Sequence, residues 1–391
     1  WIAAAEAVLD KLALFGLSAV KGIGISGHMH GATVLNAADE VLRPCILWND
    51  TRSHHEAAEL DGDPMFRRLT GNIVFPGFTA PKLLWLRLHE PRVWEQIAKV
   101  LLPKDYLRLW LTGDYVAEMS DAAGTSWLDT GKRDWSDDCL QATGLTRAQM
   151  PRLVEGAEVS GQLRDVLAER WRLPKSVIVA GGGGDNAAAA VGVGVVRAGE
   201  ALVSLGTSGV LFAANDRYQP AAETAVHSFC HAVPNTWHQM GVILSATDAL
   251  NWYGNFVGQE AQMLTQELGV LKAPTKTAFL PYLGGERTPL NSALVRGAFV
   301  GLEHATDRAG GTRAVLEGVT YALLDCKNAL AATGTKLDSL IAVGGGANST
   351  YWLSAIATAL DIAVKVPEQG DFGAAYGAAR LAIMADTGQG S

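Results

Sequence analysis

Residues 176–196 read SVIVAGGGGDNAAAAVGVGVV, from Ser176 to Val196. The mostly β-branched run to Ala180 predicts a strand and the four glycines Gly181 to Gly184 predict a loop; the small residues after Asp185 predict a helix or a tight core turn. One tight turn does not need four glycines, and removing every Cβ lets the backbone approach something closely. Asp185 stands where the loop becomes helix, where an Asp ordinarily caps the free N–H groups of the first turn. Any further role depends on what the rest of the chain places beside it.

Outward from that stretch, 391 residues exceed one ordinary core, so two domains are expected, with the junction in Val195–Gly199. The composition, 48% hydrophobic and 18% charged, is that of a folded, core-forming protein. A formal charge of -8 without a local Lys/Arg cluster gives no field for a phosphate backbone, so no nucleic-acid partner is expected. Anionic phosphates would have to be held locally, by backbone N–H groups, a metal or a few placed cations. Cys45, Cys139, Cys230 and Cys326 are scattered without a CxxC pair, which predicts a reducing, cytoplasmic setting. The uncharged run Ser339 to Leu360 has glycines 344–346 and Asn348, Ser349 and Thr350 at its middle, so a bend at a site explains it better than a membrane span. No signal peptide is visible. The chain opens at Trp1 inside an amphipathic helical pattern, Trp1 to Leu14, as though partway into a domain.

Near the start, the pattern predicts a β-meander: strands at Val20 to Ser26, Ala32 to Leu35 and Val41 to Trp48, with a turn at Gly27-His28-Met29-His30-Gly31. Helices are expected at His54 to Leu60 and Ala80 to Leu88, and on either side of Pro103 in Val93 to Gly113. Asp121-Ala122-Ala123-Gly124-Thr125 reads as a loop. Ala201 to Ala213 reads as a β-hairpin around Gly206-Thr207-Ser208-Gly209. Helices are expected at Ala246 to Phe256 and Ala309 to Thr333, and Ile341 to Leu360 repeats the strand, glycine loop and helix of the opening.

Each of these signals is weak alone. Together they describe a nucleotide site in three parts: a hairpin that wraps phosphates, a glycine loop against which a nucleoside lies, and an acid near the transferring phosphoryl group. A Rossmann site is excluded, since Arg197 falls where the third glycine after Gly192-Val193-Gly194 should be, and no GxxxxGK[ST] occurs. His227, Cys230, His231 and His238 are close enough to raise zinc, but a strand would put their donors on both faces. Ser26 and Ser208 lack a GxSxG elbow. If the 28–30 segment is extended, His28 and His30 point one way and Met29 the other.

Nine stretches carry a resemblance. SGHMHGATVLNAADEVLRPCILWND, PGFTAPKLLWLR, LLPKDYLRL, SDAAGTSWLD, GGGGDNAAAAVGVG, SLGTSGV, HSFCHAVP, LPYLGGERTP and VGGGANSTYW resemble the FGGY carbohydrate kinases, over nearly all of the chain. The resemblance implies the actin-like ATPase (ribonuclease H-like) fold, two α/β domains around a central cleft. A sugar-binding N-terminal domain is expected at 1–197 and an ATP-binding C-terminal domain at 198–391. It implies ATP-dependent phosphorylation of a ketopentose, D-xylulose first, with ribulose or a polyol such as glycerol as alternatives. By motif, Asp185 would be the base that accepts the sugar hydroxyl's proton. Met29, His30 and Asn186, with Asp185, would contact the sugar. Gly206 and Thr207 would face the ATP phosphates, Gly345, Gly346 and Asn348 would border the nucleoside, and Trp252 would wall its pocket. Glu286 and Arg287 lie in a family motif with no further role assigned. Mg²⁺ is implied with ATP, with no residue assigned to it, and the resemblance admits a homodimer. It is the resemblance, more than any spacing, that moves Asp185 from helix cap to base.

Two departures accompany it. Family members begin with a strand and a DxGT-type phosphate hairpin, and none precedes Trp1, so the expectation is a fragment short of one phosphate loop. His28 stands where relatives often carry Gln. A non-catalytic actin-fold sugar-binding or sensor protein is therefore the alternative of a different class.

Overall fold

The computed structural model of the chain describes residues 1–367 and 373–388. It divides into two compact units. The first contains Trp1–Val196, Phe229–Trp237 and the described residues from 373 on; the second contains Arg197–Ser228 and residues 238–367. The main passage between them falls at Val196/Arg197, and two later segments return to the first unit.

In the first unit, the strand predicted within 176–180 forms at Ile178–Ala180, between Gly22–Ile23, parallel to it, and Val159–Gln162, antiparallel. Val177, Val179 and Ala180 are fully buried, which is what an apolar, largely β-branched run does on a covered sheet. Arg108, from the helix Pro103–Thr112, is buried beneath its end. The guanidinium donates to the Ser160 hydroxyl, to Ala180 O at 2.6 Å and to Gly181 O at 2.5 Å, tying the strand to the glycine loop.

Two of the four glycines are accounted for by backbone close by. A Cβ on Gly181 would lie 2.1 Å from Glu155 O, and Gly182, at φ 73°, lies where a Cβ would meet Ile25 O at 2.1 Å. Neither position tolerates a side chain, for packing and for backbone conformation. Helix Asp185–Val193 follows, burying Ala187, Ala188, Ala190 and Val191, and lies against helix Ala374–Thr387. At their crossing a Cβ on Gly377 would stand 1.7 Å from Ala188 O. Gly377→Ala is therefore expected to force the helices apart and cost about 1–3 kcal/mol, the usual range for overpacking, read as a lower urea midpoint.

Two local expectations are corrected. The meander does not form: Gly22–Ile23 pairs with Ile178–Ala180, and Thr33–Leu35 pairs antiparallel with Lys99–Leu101. From 41–48 only the single bridges Leu35↔Val41 and Ala32↔Ile46 remain, and Pro44 between them has no N–H to continue a ladder. The segment N-terminal to Pro103 is likewise a short helix, Pro91–Trp94, followed by that strand; Pro103 then opens the next helix from its first position, where a missing N–H costs nothing.

The second unit is built on a sheet in which Trp237–Ile243, Gly209–Asn215, Glu200–Leu205, Ser339–Val343 and Val364–Lys365 lie side by side in that order. Glu200–Leu205 and Gly209–Asn215 are the expected hairpin, in register from Ala201↔Ala213 to Leu205↔Gly209. Glu200–Leu205 also pairs parallel with Ser339–Val343. That pairing brings the hairpin turn and the second glycine turn to one end of the sheet. The 25-residue helix Arg308–Ala332 buries Ala314, Val315, Val319, Leu323, Cys326 and Leu330 in the core of this unit.

Candidate active site

Three segments converge in the first unit: the turn at 27–31, the short helices Met119–Ala122 and Ala123–Thr125, and the glycine loop. Gly27 donates to Gly183 O at 2.6 Å, and Ser26 bridges Gly183 in parallel. The N–H of Gly184 donates to the Ser120 hydroxyl at 2.9 Å. Met29 is buried with its Sδ 3.0 Å from where a Gly184 Cβ would be, and its Cε reaches equally close to Gly124. The residue before Asp185 is thus fixed by Met29 on one side and Ser120 on the other.

His30 has a left-handed backbone, φ 67°, unusual for a residue with a side chain. Its Nδ1 lies 2.7 Å from Gly124 O, and its ring stacks on Phe78 with centroids 4.6 Å apart. A carbonyl only accepts, so Nδ1 carries the proton and Nε2 keeps its lone pair. Although the residue is partly accessible, desolvation lowers its pKa to about 4, against the bond to Gly124, so the ring is neutral at pH 7. His30 therefore offers a hydrogen-bond acceptor suited to a sugar hydroxyl.

Asp185 is the first residue of its helix rather than the N-cap, which is Gly184. Its Oδ1 accepts from Asn186 N at 2.8 Å and Asn186 Nδ2 at 3.1 Å, so it does satisfy one free donor of the first turn. Oδ2 accepts no hydrogen bond among the described residues. The side chain is open to solvent yet crowded by protein; that crowding raises its pKa, and the bonds from Asn186 oppose the rise. A carboxylate with one oxygen anchored and one free is placed to take a proton.

Behind this site lies a buried ionic cluster. Lys104 Nζ is 2.8 Å from Asp105 and 3.5 Å from Asp121, all three fully or nearly fully buried. Glu118 accepts from Ser120 N, Ser120 Oγ and Asp121 N. Burial raises the pKa of both Glu118 and Asp121, with Lys104 opposing. The stretch Asp121 to Thr125, expected as a loop, is helical instead, because Glu118 caps the turn that begins there, and Ser120 beside it supports the glycine loop.

In the second unit, Gly206 and Thr207 form the hairpin turn. Thr247 donates to Gly206 O through N, 2.9 Å, and Oγ1, 2.7 Å, and Ala246 N donates to Thr207 O at 2.8 Å, joining the turn to helix Thr247–Val257. Gly346 packs against Leu205 and Trp352, and nothing lies within 4 Å of a Cβ placed on Gly345. Gly345, Gly346 and Asn348 line a cavity of about 480 Å³ with Thr247, Leu250, Gln262, Ser349 and Trp352. The indole N–H of Trp352 is buried there without a hydrogen-bond partner. Trp252 is not among the lining residues: its ring stacks on Phe256, Phe279 and Phe299, so the tryptophan at this pocket is Trp352.

Among the described residues no three His, Cys, Asp or Glu groups are clustered to hold a metal ion. His231 is buried with Nε2 3.1 Å from Val195 O. Among the described residues no helix is long and apolar enough to cross a membrane.

The family model of the N-terminal domain of the "FGGY family of carbohydrate kinases" matches residues 1–192, and that of its C-terminal domain residues 201–385. The chain belongs to the FGGY carbohydrate kinases. Xylulose kinase of Escherichia coli (strain K12) is 50% identical over 372 residues, 94% of this chain and 77% of the relative. Xylulose kinase of Klebsiella pneumoniae is 48% identical over 394 residues, 98% and 80% of the two chains. Among solved structures, a "xyloylose kinase" from Brucella ovis superposes with TM-score 0.95 at 63% identity, covering 99% of this chain and 80% of that one. Xylulose kinase from Rhodospirillum rubrum gives 0.86 at 28% identity, with 93% and 75% covered. The fold is accordingly the two-domain α/β fold of the FGGY sugar kinases, consistent with the actin-like ATPases, as the motifs implied.

Within this FGGY kinase, reading by motif assigned roles to Met29, His30, Asp185 and Asn186, which do share one region of the first unit. It assigned nothing to Lys82, Lys104, Arg108 or Ser120. The available signal was a charge amid leucines, as in PKLLWL and YLRLWL, where a cation on an apolar face must be buried with partners.

Proposed function

We propose that this FGGY kinase transfers the γ-phosphoryl group of ATP to D-xylulose, giving D-xylulose 5-phosphate, with the first unit holding the sugar and the second the nucleotide. The observation that carries this is the convergence of Met29, neutral His30 and half-anchored Asp185, in a chain half identical to a bacterial xylulose kinase. In this reading His30 Nε2 and Asn186 orient the sugar. Asp185 Oδ2 receives the hydroxyl proton as the oxygen attacks phosphorus. A sugar hydroxyl scarcely ionises at pH 7, so the carboxylate acts by alignment and late proton acceptance.

The second-unit cavity fits a nucleoside: Gly345 and Gly346 give it walls where a ring can lie against backbone. Free backbone N–H groups of the Gly206–Thr207 turn would meet phosphate oxygens. Mg²⁺ bound to the nucleotide would neutralise charge on the transferring group. The four cysteines, all unpaired, support a reducing compartment such as the cytoplasm.

The test is ADP release, coupled to NADH oxidation, over D-xylulose, L-ribulose, D-ribulose and glycerol. D-xylulose should give the highest kcat/KM. A higher value for another substrate moves the specificity to it, and sugar binding without ADP release from any of them establishes the sugar-binding alternative.

A further inference from the structure

We infer that Lys82 is the positioning residue of the sugar site, holding the carbonyl of His30 and thereby the left-handed turn from which Met29 and His30 are presented. Lys82 lies on helix Thr79–His89 and is fully buried. Its Nζ donates to His30 O at 2.8 Å and to Gly77 O at 2.6 Å, and no carboxylate lies within 4.0 Å of it among the described residues. Burial pushes the Lys82 pKa down to about 7, with the charges of Cys45 and Asp50 opposing, and the hydrogen bonds that Nζ makes are those to the two carbonyls. Both belong to the site. Gly77 precedes Phe78, the ring on which His30 stacks, so one ammonium ties the backbone of His30 to the support of its ring.

The turn requires such a donor. Gly31 N closes on Met29 O at 2.9 Å, and the left-handed His30 between them directs its own carbonyl inward, away from any strand or helix partner. Lys82 and the Thr79 hydroxyl, at 3.2 Å, are its partners. Without them a buried carbonyl would be orphaned and the turn would relax toward ordinary backbone. His30 would then leave Gly124 O and lose the Nδ1–H tautomer that makes Nε2 an acceptor. The positive charge also disfavours a protonated His30.

The inference rests on the sugar-kinase reading for its kinetic consequence but not for its structural one, and the test has an arm for each. In Lys82→Met, KM and the calorimetric Kd for D-xylulose should rise at least tenfold, while KM for ATP stays within twofold. Thr79→Val, which buries no vacant cation site, should raise the sugar KM about threefold and remains informative if Lys82→Met does not fold. In ¹⁵N-imidazole spectra, with His30 assigned through His30→Gln, the Nδ1–H signature of His30 should be lost in Lys82→Met, or weakened in Thr79→Val. Unchanged sugar affinity in folded Lys82→Met overturns the inference. So does a loss of activity that scales only with the fraction of active sites, or an unaltered His30 signature. If the wild type neither binds nor phosphorylates D-xylulose, the substrate reading fails, and the spectra alone decide the role of Lys82.

Discussion

Asp185→Asn is expected to lower kcat roughly 10²- to 10⁴-fold, the range for loss of a general base, while the protein folds as before. Asn is isosteric and its amide oxygen can still accept from Asn186, so the start of helix Asp185–Val193 is preserved. The side chain is exposed, so stability should stay within about 0.5 kcal/mol. KM for the sugar should change much less than kcat, because a proton acceptor acts mainly in the transition state. The pH profile gives a second readout. The base works ionised, and crowding raises its pKa, so wild-type turnover should fall as pH drops through a value above the ordinary carboxylate range. The Asn variant should lack that acidic limb. Near-wild-type turnover in Asp185→Asn would remove it from the base role.

Arg108→Met should be the most destabilising single change among those considered. The guanidinium is wholly buried and holds Ser160 Oγ, Ala180 O and Gly181 O. Burial lowers the Arg108 pKa and Asp105, Glu118 and Asp121 oppose it, so removing the guanidinium also leaves buried acids with less compensating charge. Breaking one side of a buried ionic network costs about 3–5 kcal/mol, which at about 2–4 °C per kcal/mol for domains of this size lowers the melting temperature by roughly 6–20 °C. Lys at this position restores a charge but cannot span three acceptors in a fork, so Arg108→Lys should recover only part of the loss. A melting temperature unchanged in Arg108→Met would show that the glycine loop is held by its own backbone bonds instead.

These two residues mark the boundary of what could be read from the chain alone. Asp185 was visible because it follows four glycines at a helix start and, above all, because the surrounding motif resembles a family. Arg108 was not, because its partners are 52, 72 and 73 residues away. The meander expected near the start failed for the same reason. Alternation over 20–48 correctly marked Thr33–Leu35 as extended but could not say that its partner was Lys99–Leu101. Pairing is decided by which backbones meet, and hydrophobic period carries no record of that. Trp252 was carried over from the family resemblance, and no local pattern in the sequence distinguishes it from Trp352 as a pocket residue. Burial and the packing of Gly346 against Trp352 separate them.

The sequence by itself determined the two strand–glycine–helix units, the phosphate-type hairpin, the acid at a helix start and membership of a sugar-kinase family. Those features are local: each follows from backbone freedom, residue periodicity or a contiguous motif. Only the tertiary structure decided why the glycines are there. The opening loop needs Gly181 and Gly182 because Glu155 O and Ile25 O occupy the space a Cβ would fill. Only the tertiary structure, too, fixed the tautomer of His30 and gave Lys82 its place behind the turn. A proton's position and a buried charge's compensation depend on carbonyls brought in from 94 and 52 residues away, and folding alone sets those distances.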